Sequence, residues 1–185
     1  MEKVASEELS SFYYQYPSVA TIVTSHSEGR DNAMAVAWHG TLSRRPPMYM
    51  VAISPKRFSH GLIVQSGEFT VNFLPFSSAK LVVQIGGCSG RDVDKFHEFG
   101  LTKVPTLKVT APVLDAAYAA YECRVAARYP SGDHDCFFGE IVAVHHYPLA
   151  YGPRKTLDLE QEQPLLYLGD GHYTTASREG IAHLE

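Results

Sequence analysis

Residues 32–72 read NAMAVAWHGTLSRRPPMYMVAISPKRFSHGLIVQSGEFTVN, from Asn32 to Asn72, and this stretch decides the fold. Residues 33–42 form an apolar run of strand character, Arg44-Arg45-Pro46-Pro47 breaks the pattern, and residues 48–54 form a second apolar run of strand length. A corner follows: Ser54-Pro55-Lys56-Arg57-Phe58-Ser59-His60, where a strand ends and an ammonium and a guanidinium come next. Ser59 is placed to cap a short helix over 59–66 that Gly67 stops. A helix N-terminus with a hydroxyl cap and a neighbouring Arg is an anion site suited to phosphate. By themselves, Lys56, Arg57, Ser59 and His60 also suit a solvated surface turn. Residues 68–74 then alternate, with Phe69, Val71 and Phe73 on one face and Thr70, Asn72 and Leu74 on the other, as a strand does.

Upstream, residues 5–14 read as a short helix ending before Pro17, and residues 18–25 as a first strand. The turn-rich residues 28–32 join it to its hairpin partner over 33–42. Downstream, residues 77–85 read as a helix with Leu81, Val82 and Ile85 on one side, and residues 92–99 as a short helical turn. Between 118 and 129, Tyr121, Cys123, Val125 and Ala127 alternate with Glu122, Arg124, Ala126 and Arg128, which predicts a long strand with one solvated face. Pro130-Ser131-Gly132-Asp133 is a turn, and residues 134–147 form the partner strand of a hairpin. Two short strands close the chain at 165–168 and 172–175. Many strands with only short flanking helices predict a mainly β fold, a barrel with helical excursions, not a βαβ sandwich. Gly86-Gly87-x-x-Gly90 matches neither the dinucleotide fingerprint nor the P-loop.

With 185 residues, 45% of them hydrophobic, and no linker-like composition shift, the chain is expected to fold as a single domain over 1–185. The formal net charge is −4 and the basic residues are scattered, so nucleic acid is not an expected partner. No apolar run reaches the roughly 18–20 residues a membrane span needs, and the first residues lack a basic segment followed by an apolar one. The expectation is a soluble cytoplasmic protein with no membrane partner. Cys88, Cys123 and Cys136 are irregularly spaced and suit reduced thiols, with Cys88 in a Gly-rich run where it is accessible to solvent or ligand. His134, His145, His146 and Cys136 do not make a metal site, since His145 and His146 point to opposite faces of one strand.

The order N-x-x-x-x-x-W, then P-P, then S-P-x-R-x-S, then G-E-F-x-V-N resembles the flavin reductase-like family, whose members are FMN-binding split β-barrels, and in particular its flavoredoxin-like branch. The likeness runs over residues 16–173 and includes the closing Leu166-Tyr167-Leu168-Gly169 and His172-Tyr173. It implies FMN as cofactor, with Ser54, Arg57 and Ser59 at the phosphate and Asn32, Ala33, Met34 and Trp38 along the isoalloxazine. Asn72, which ends the pattern, is counted with them. Ser89-Gly90-Arg91-Asp92-Val93-Asp94-Lys95-Phe96 resembles a family element close to the flavin, which adds Ser89, Arg91 and Lys95, with Asp94 as their structural partner. The Gly132-Asp133-His134 turn implies His134 on the open side of the ring, where NADH or NADPH would stack. Ala37 stands where the branch carries Ser before Trp38, so one hydroxyl contact is missing.

Taken together, the resemblance implies a homodimeric oxidoreductase that moves electrons from NADH or NADPH through flavin to a small acceptor or free flavin. The aromatic segments Phe12-Tyr13-Tyr14 and Phe137-Phe138 would supply apolar contact surface. A non-catalytic flavin-binding electron carrier is the alternative, and a barrel that has lost its flavin is a weaker third.

Overall fold

The computed structural model describes residues 2–9 and 12–181. In chain order these form β1 (Ser18–Val19), β2 (Thr21–Ser27), β3 (Arg30–Val36), β4 (His39–Arg44) and β5 (Pro47–Ile53), then α1 (Phe58–Ser66) and β6 (Glu68–Phe73). α2 (Ala79–Gly86), α3 (Lys95–Glu98), β7 (Lys103–Val104) and β8 (Val113–Leu114) precede the long hairpin of β9 (Ala119–Ser131) and β10 (His134–His146). β11 (Leu166–Gly169) and β12 (His172–Thr174) close the order.

Seven strands form one antiparallel sheet in the order β3-β2-β6-β9-β10-β5-β4. Its two edges, β3 and β4, are consecutive in sequence and separated by Ala37 and Trp38 alone. Three Cα steps reach at most about 11 Å. The sheet therefore curls until its edges nearly meet, and the result is a barrel split along the outer edge of β3. The Ala52 amide donates to the Trp38 carbonyl at 2.9 Å and fixes the crossing point.

Period-two patterning fills both sides of the sheet. Val23, Val51, Ile53, Phe69, Val71, Cys123 and Phe137 meet inside the barrel, joined by Ile63 from α1. Ile22, Ala33, Leu74 and Leu165 point the other way, onto Val82 and Ile85 of α2. Burial of Phe69 or Val71, both with no exposed surface, stabilises the fold by about 1.5–3 kcal/mol each. A Cβ on Gly139 would stand 2.5 Å from Phe69 Cζ, so the Phe69 ring occupies the place of a side chain there. α1 ends on Gly67 at φ 70°, whose amide donates to the Ile63 carbonyl at 2.8 Å.

Several expectations are corrected. The described residues of 5–14 hold no helix, and Ser10 and Ser11 lie outside the described residues; Leu9, Phe12 and Tyr14 are exposed while Tyr13 packs on Tyr16 and Trp38, so the segment has no apolar stripe laid on the core to hold it helical. The run 33–42 is two strands on opposite edges of the sheet. Ser59 does not cap α1: the Arg57 amide turns back onto the Ser54 carbonyl at 2.9 Å, so the helix begins at Phe58 with Arg57 as its N-cap. The alternating face of β9 is not solvated at Glu122, which is fully buried under residues 107–109. Phe137 is a core residue and offers no surface.

Candidate functional site

The open edge of β3 supplies backbone N–H and C=O groups without a strand partner, and two cavities lie along it. The smaller, about 140 Å³, is lined by Asn32, Lys56, Ser59, Ser89, Gly90 and Lys95 among others. The larger, about 360 Å³, is walled by Tyr13, Tyr16, Trp38, His134 and Tyr167. Met34, Ala35 and Arg57 line both, so the two form one cleft, polar and cationic at one end and aromatic at the other.

At the polar end, the buried Asn32 donates from Nδ2 to Ser59 Oγ at 2.7 Å, which leaves the Ser59 hydroxyl proton free to donate elsewhere. Lys95 is buried, and its Nζ donates to the Ile85 carbonyl at 2.7 Å, at the C-terminal end of α2. Burial holds its ammonium pKa below the ordinary lysine range; Arg57 adds to the lowering and Cys88 opposes it. Two of its three N–H donors remain for a ligand. The loop between α2 and α3 closes this end tightly. Arg30 lies over the Phe58 ring at 4.5 Å and donates to the Gly90 carbonyl. Asp94 accepts from the amides of Phe96 and His97 at 3.1 and 3.2 Å. It caps α3 and is not the ion partner of Arg91 or Lys95.

At the aromatic end, Trp38 Nε1 donates to Tyr16 Oη at 3.3 Å, so the Tyr16 hydroxyl keeps its own proton for donation. Tyr13 stacks on Tyr16 with ring centroids 5.9 Å apart and planes 4° from parallel. The His134 ring lies 4.7 Å from that of Trp38, and its Nδ1 meets Asp133 Oδ1 at 2.7 Å. The hydrogen bond from His134 holds the Asp133 carboxyl below the usual range. His134 thus carries a proton on Nδ1 and keeps Nε2 for other contacts.

The fold brings Asn32, Met34, Trp38, Arg57, Ser59, Ser89, Lys95 and His134 to this cleft. Ala33 is buried against α2 and offers only backbone. Ser54 and Arg91 line neither cavity. Asn72 lies in the core instead: its Nδ2 donates to the Ile22 carbonyl and Thr24 Oγ1, each at 3.1 Å, and its Oδ1 accepts the Leu114 amide at 2.8 Å. Its role is to tie β8 to the sheet. Sequence reasoning missed Tyr13, Tyr16 and Tyr167 as walls of the cleft; the run Phe12-Tyr13-Tyr14-Gln15-Tyr16 ahead of the first strand was a signal for the first two, and no local pattern pointed to Tyr167. Cys88 lines the polar end, half-buried and unpaired in any disulfide. No three His, Cys, Asp or Glu residues gather as a metal site among the described residues.

A cleft with unneutralised cations at one end, a strip of free strand edge in the middle and aromatic walls at the other suits a phosphate joined to a flat heterocycle. A flavin nucleotide has that shape and charge. Comparison with known proteins agrees. A protein of Aeropyrum pernix is 36% identical over 155 residues, 83% of this chain, which spans 58% of that relative's length. The crystal structure of an FMN-binding protein from Thermus thermophilus with bound 1-cyclohex-2-enone superimposes with TM-score 0.87 at 35% identity, covering 99% of both chains. Flavoredoxin from Methanosarcina acetivorans gives TM-score 0.87 at 27% identity over 100% of this chain and 97% of its own. The sequence profile of the flavin reductase like domain matches residues 13–177. The chain belongs to the flavin reductase-like family and is a split-barrel flavoprotein.

Proposed function

We propose that the protein is an FMN-dependent oxidoreductase that takes electrons from NADH or NADPH and delivers them, through its flavin, to a small acceptor or to free flavin. The carrying observation is the junction at Arg57 of a cationic cavity and an aromatic one along the edge of β3. Arg57 and Lys56 hold the phosphate charge, and the free proton of Ser59 adds a donor. Ser89 and Lys95 complete that end. The edge of β3 at Met34 and Ala35 meets the polar rim of the ring, while Trp38, Tyr13 and Tyr16 exclude water from its flat faces. His134, oriented by Asp133, positions the nicotinamide. A bound flavin supplies the redox chemistry itself, accepting two electrons from the donor and passing them on. The Thermus thermophilus neighbour, an FMN-binding protein, supports the choice of cofactor.

Anaerobic mixing with NADH or NADPH tests this reading, because a reductase bleaches its flavin absorbance within the stopped-flow trace. Whole-chain likeness to a flavoredoxin favours a second reading, an electron carrier whose flavin neither nucleotide bleaches. A colourless protein that fails to quench added flavin fluorescence contradicts both. The working form is a cytoplasmic homodimer in this proposal, with Phe12 and Tyr14, 55% and 89% exposed, as contact surface. A flavin-loaded species of monomer mass in sedimentation refutes that assembly. No helix among the described residues is long and apolar enough to cross a membrane.

A further inference from the structure

His39 opens β4, one residue after Trp38, and both nitrogens of its ring are engaged inside the protein. Nε2 lies 2.8 Å from the Val19 carbonyl oxygen and Nδ1 2.6 Å from Tyr49 Oη. A carbonyl can only accept, so Nε2 carries the proton. The neutral ring has no second one, and Nδ1 accepts from the Tyr49 hydroxyl. Burial favours that neutral form, since it holds the His39 pKa below the ordinary histidine value against the opposing effect of the Val19 carbonyl. Burial also pushes the Tyr49 hydroxyl pKa up, so the donor keeps its proton. The Tyr49 ring is itself fixed, edge-on to Phe73 at 6.0 Å and to Tyr121 at 5.5 Å. One tautomer in one orientation satisfies both partners.

The two partners belong to different sheets. Tyr49 lies in β5 of the seven-stranded sheet, whereas Val19 lies in β1, an edge strand of the separate sheet β1-β11-β12. An edge strand leaves carbonyls without a ladder partner, and His39 takes one of them. This smaller sheet carries the aromatic wall of the cleft. Ser18 pairs with Tyr167, and Tyr16, two residues before β1, meets the Tyr167 ring edge-on at 5.3 Å. A Cβ on Gly169 of β11 would stand 3.4 Å from Tyr16 Cδ2, so Tyr16 also lies against β11. Trp38 faces this wall from the larger sheet, where the Ala52 amide holds its carbonyl. β1 is anchored at one end because the chain continues through Ala20 into β2, and His39 holds it at Val19, on the way to Tyr16. Across the gap itself, Trp38 and Tyr16 have one long hydrogen bond of 3.3 Å. The shorter bonds of His39 therefore set the separation of the two sides.

We propose that His39 is a positioning residue: this clasp fixes the width of the aromatic end of the cleft, and through it the stacking of the flat ring that enters there. That the ring is a flavin met by a nicotinamide rests on the proposed function; the clasp and its effect on Trp38 do not. Leucine fills a similar volume at position 39 but pairs neither partner. Glutamine offers an amide N–H to the Val19 carbonyl and an amide oxygen to the Tyr49 hydroxyl.

The test compares His39→Leu, His39→Gln and Tyr49→Phe with wild type. Trp38 is the single tryptophan of the chain, so tryptophan emission and its quenching by acrylamide, measured on flavin-free protein, read the aromatic end alone. His39→Leu should shift the emission, expose Trp38 to acrylamide and slow flavin reduction by NADH or NADPH by about tenfold or more. FMN affinity should stay within about threefold, because the phosphate end is untouched. His39→Gln should recover most of each change. Tyr49→Phe removes one bond and keeps the ring, so it should fall between wild type and His39→Leu, and it decides the matter if His39→Leu does not fold. Wild-type emission and quenching in His39→Leu, or in Tyr49→Phe in its place, overturn the proposal. Equal changes in His39→Gln and His39→Leu overturn it too, since shape and not hydrogen bonding would then matter, as does a loss of FMN affinity as large as the loss of rate. If neither nucleotide bleaches the wild-type flavin but Trp38 responds to His39→Leu and recovers with His39→Gln, the reductase reading fails and His39 keeps its role.

Discussion

Replacing Gly90 by alanine puts a methyl group where Asn32 already stands. The added Cβ would lie 2.1 Å from Asn32 Oδ1, 2.7 Å from its Cγ and 2.8 Å from Phe58 Cδ1. Neither neighbour yields easily. Asn32 is buried and bonded to Ser59, and the Phe58 ring is covered by the Arg30 guanidinium. The loop carrying Ser89 and Arg91 must lift instead. Overpacking of this kind costs about 1–3 kcal/mol, and each kcal/mol lowers Tm by about 2–4 °C in a chain of this length. Because that loop walls the polar cavity, the strain also reaches the ligand, and about 1.4 kcal/mol of it is a tenfold loss of affinity. FMN titration by fluorescence quenching and thermal unfolding on the same samples read both effects. Gly90→Ala should bind FMN at least about tenfold more weakly and melt several degrees lower. Wild-type affinity with an unchanged Tm would mean the loop does not press on Asn32, and the described polar end would be wrong.

Other perturbations separate binding, chemistry and stability. Glu122 has no exposed surface; its carboxylate accepts the amides of Leu107, Lys108 and Val109 and meets His145 Nε2 at 2.5 Å. Glu122→Gln should therefore destabilise the fold by about 3 kcal/mol in urea unfolding; a loss under about 0.5 kcal/mol refutes the anchoring role. Burial raises the Glu122 pKa, but His145 and the three amides more than offset it, so the carboxyl sits below its ordinary 4.5. A group with a depressed folded-state pKa stabilises above its ordinary value and ceases to as pH falls through the folded value. The gap between wild type and Glu122→Gln should shrink below pH 4.5, and a constant gap contradicts the assignment. His134→Ala should slow flavin reduction by about tenfold to a hundredfold with flavin content intact; an unchanged rate leaves His134 no positioning role, and lost flavin makes it a cofactor ligand.

The parts of the fold written in local pattern were legible. The β9/β10 hairpin follows from strict alternation around Gly132-Asp133, and the end of α1 from Gly67. What tertiary structure decides was not. No Gly or Pro marks the break at Ala37-Trp38, because the chain leaves one sheet edge there only to meet the other. Glu122 and Asn72 alternate as solvent-facing residues do, yet later loops cover both and use them as anchors. Asn32, Trp38, Arg57 and His134, singled out from the family pattern, line the cleft, whereas the wall of Tyr13, Tyr16 and Tyr167 joins segments about 150 residues apart, beyond any local period.

The central claim is that Arg57 marks the phosphate end of a flavin cleft. Titration of FMN and of riboflavin into wild type and Arg57→Ala tests it directly, since the two ligands differ only by that phosphate. An ionic hydrogen bond of this kind contributes about 1.5–3 kcal/mol, roughly tenfold to a hundredfold in affinity. The account predicts that loss for FMN and almost none for riboflavin. Equal losses for both ligands, or none for FMN, would contradict it.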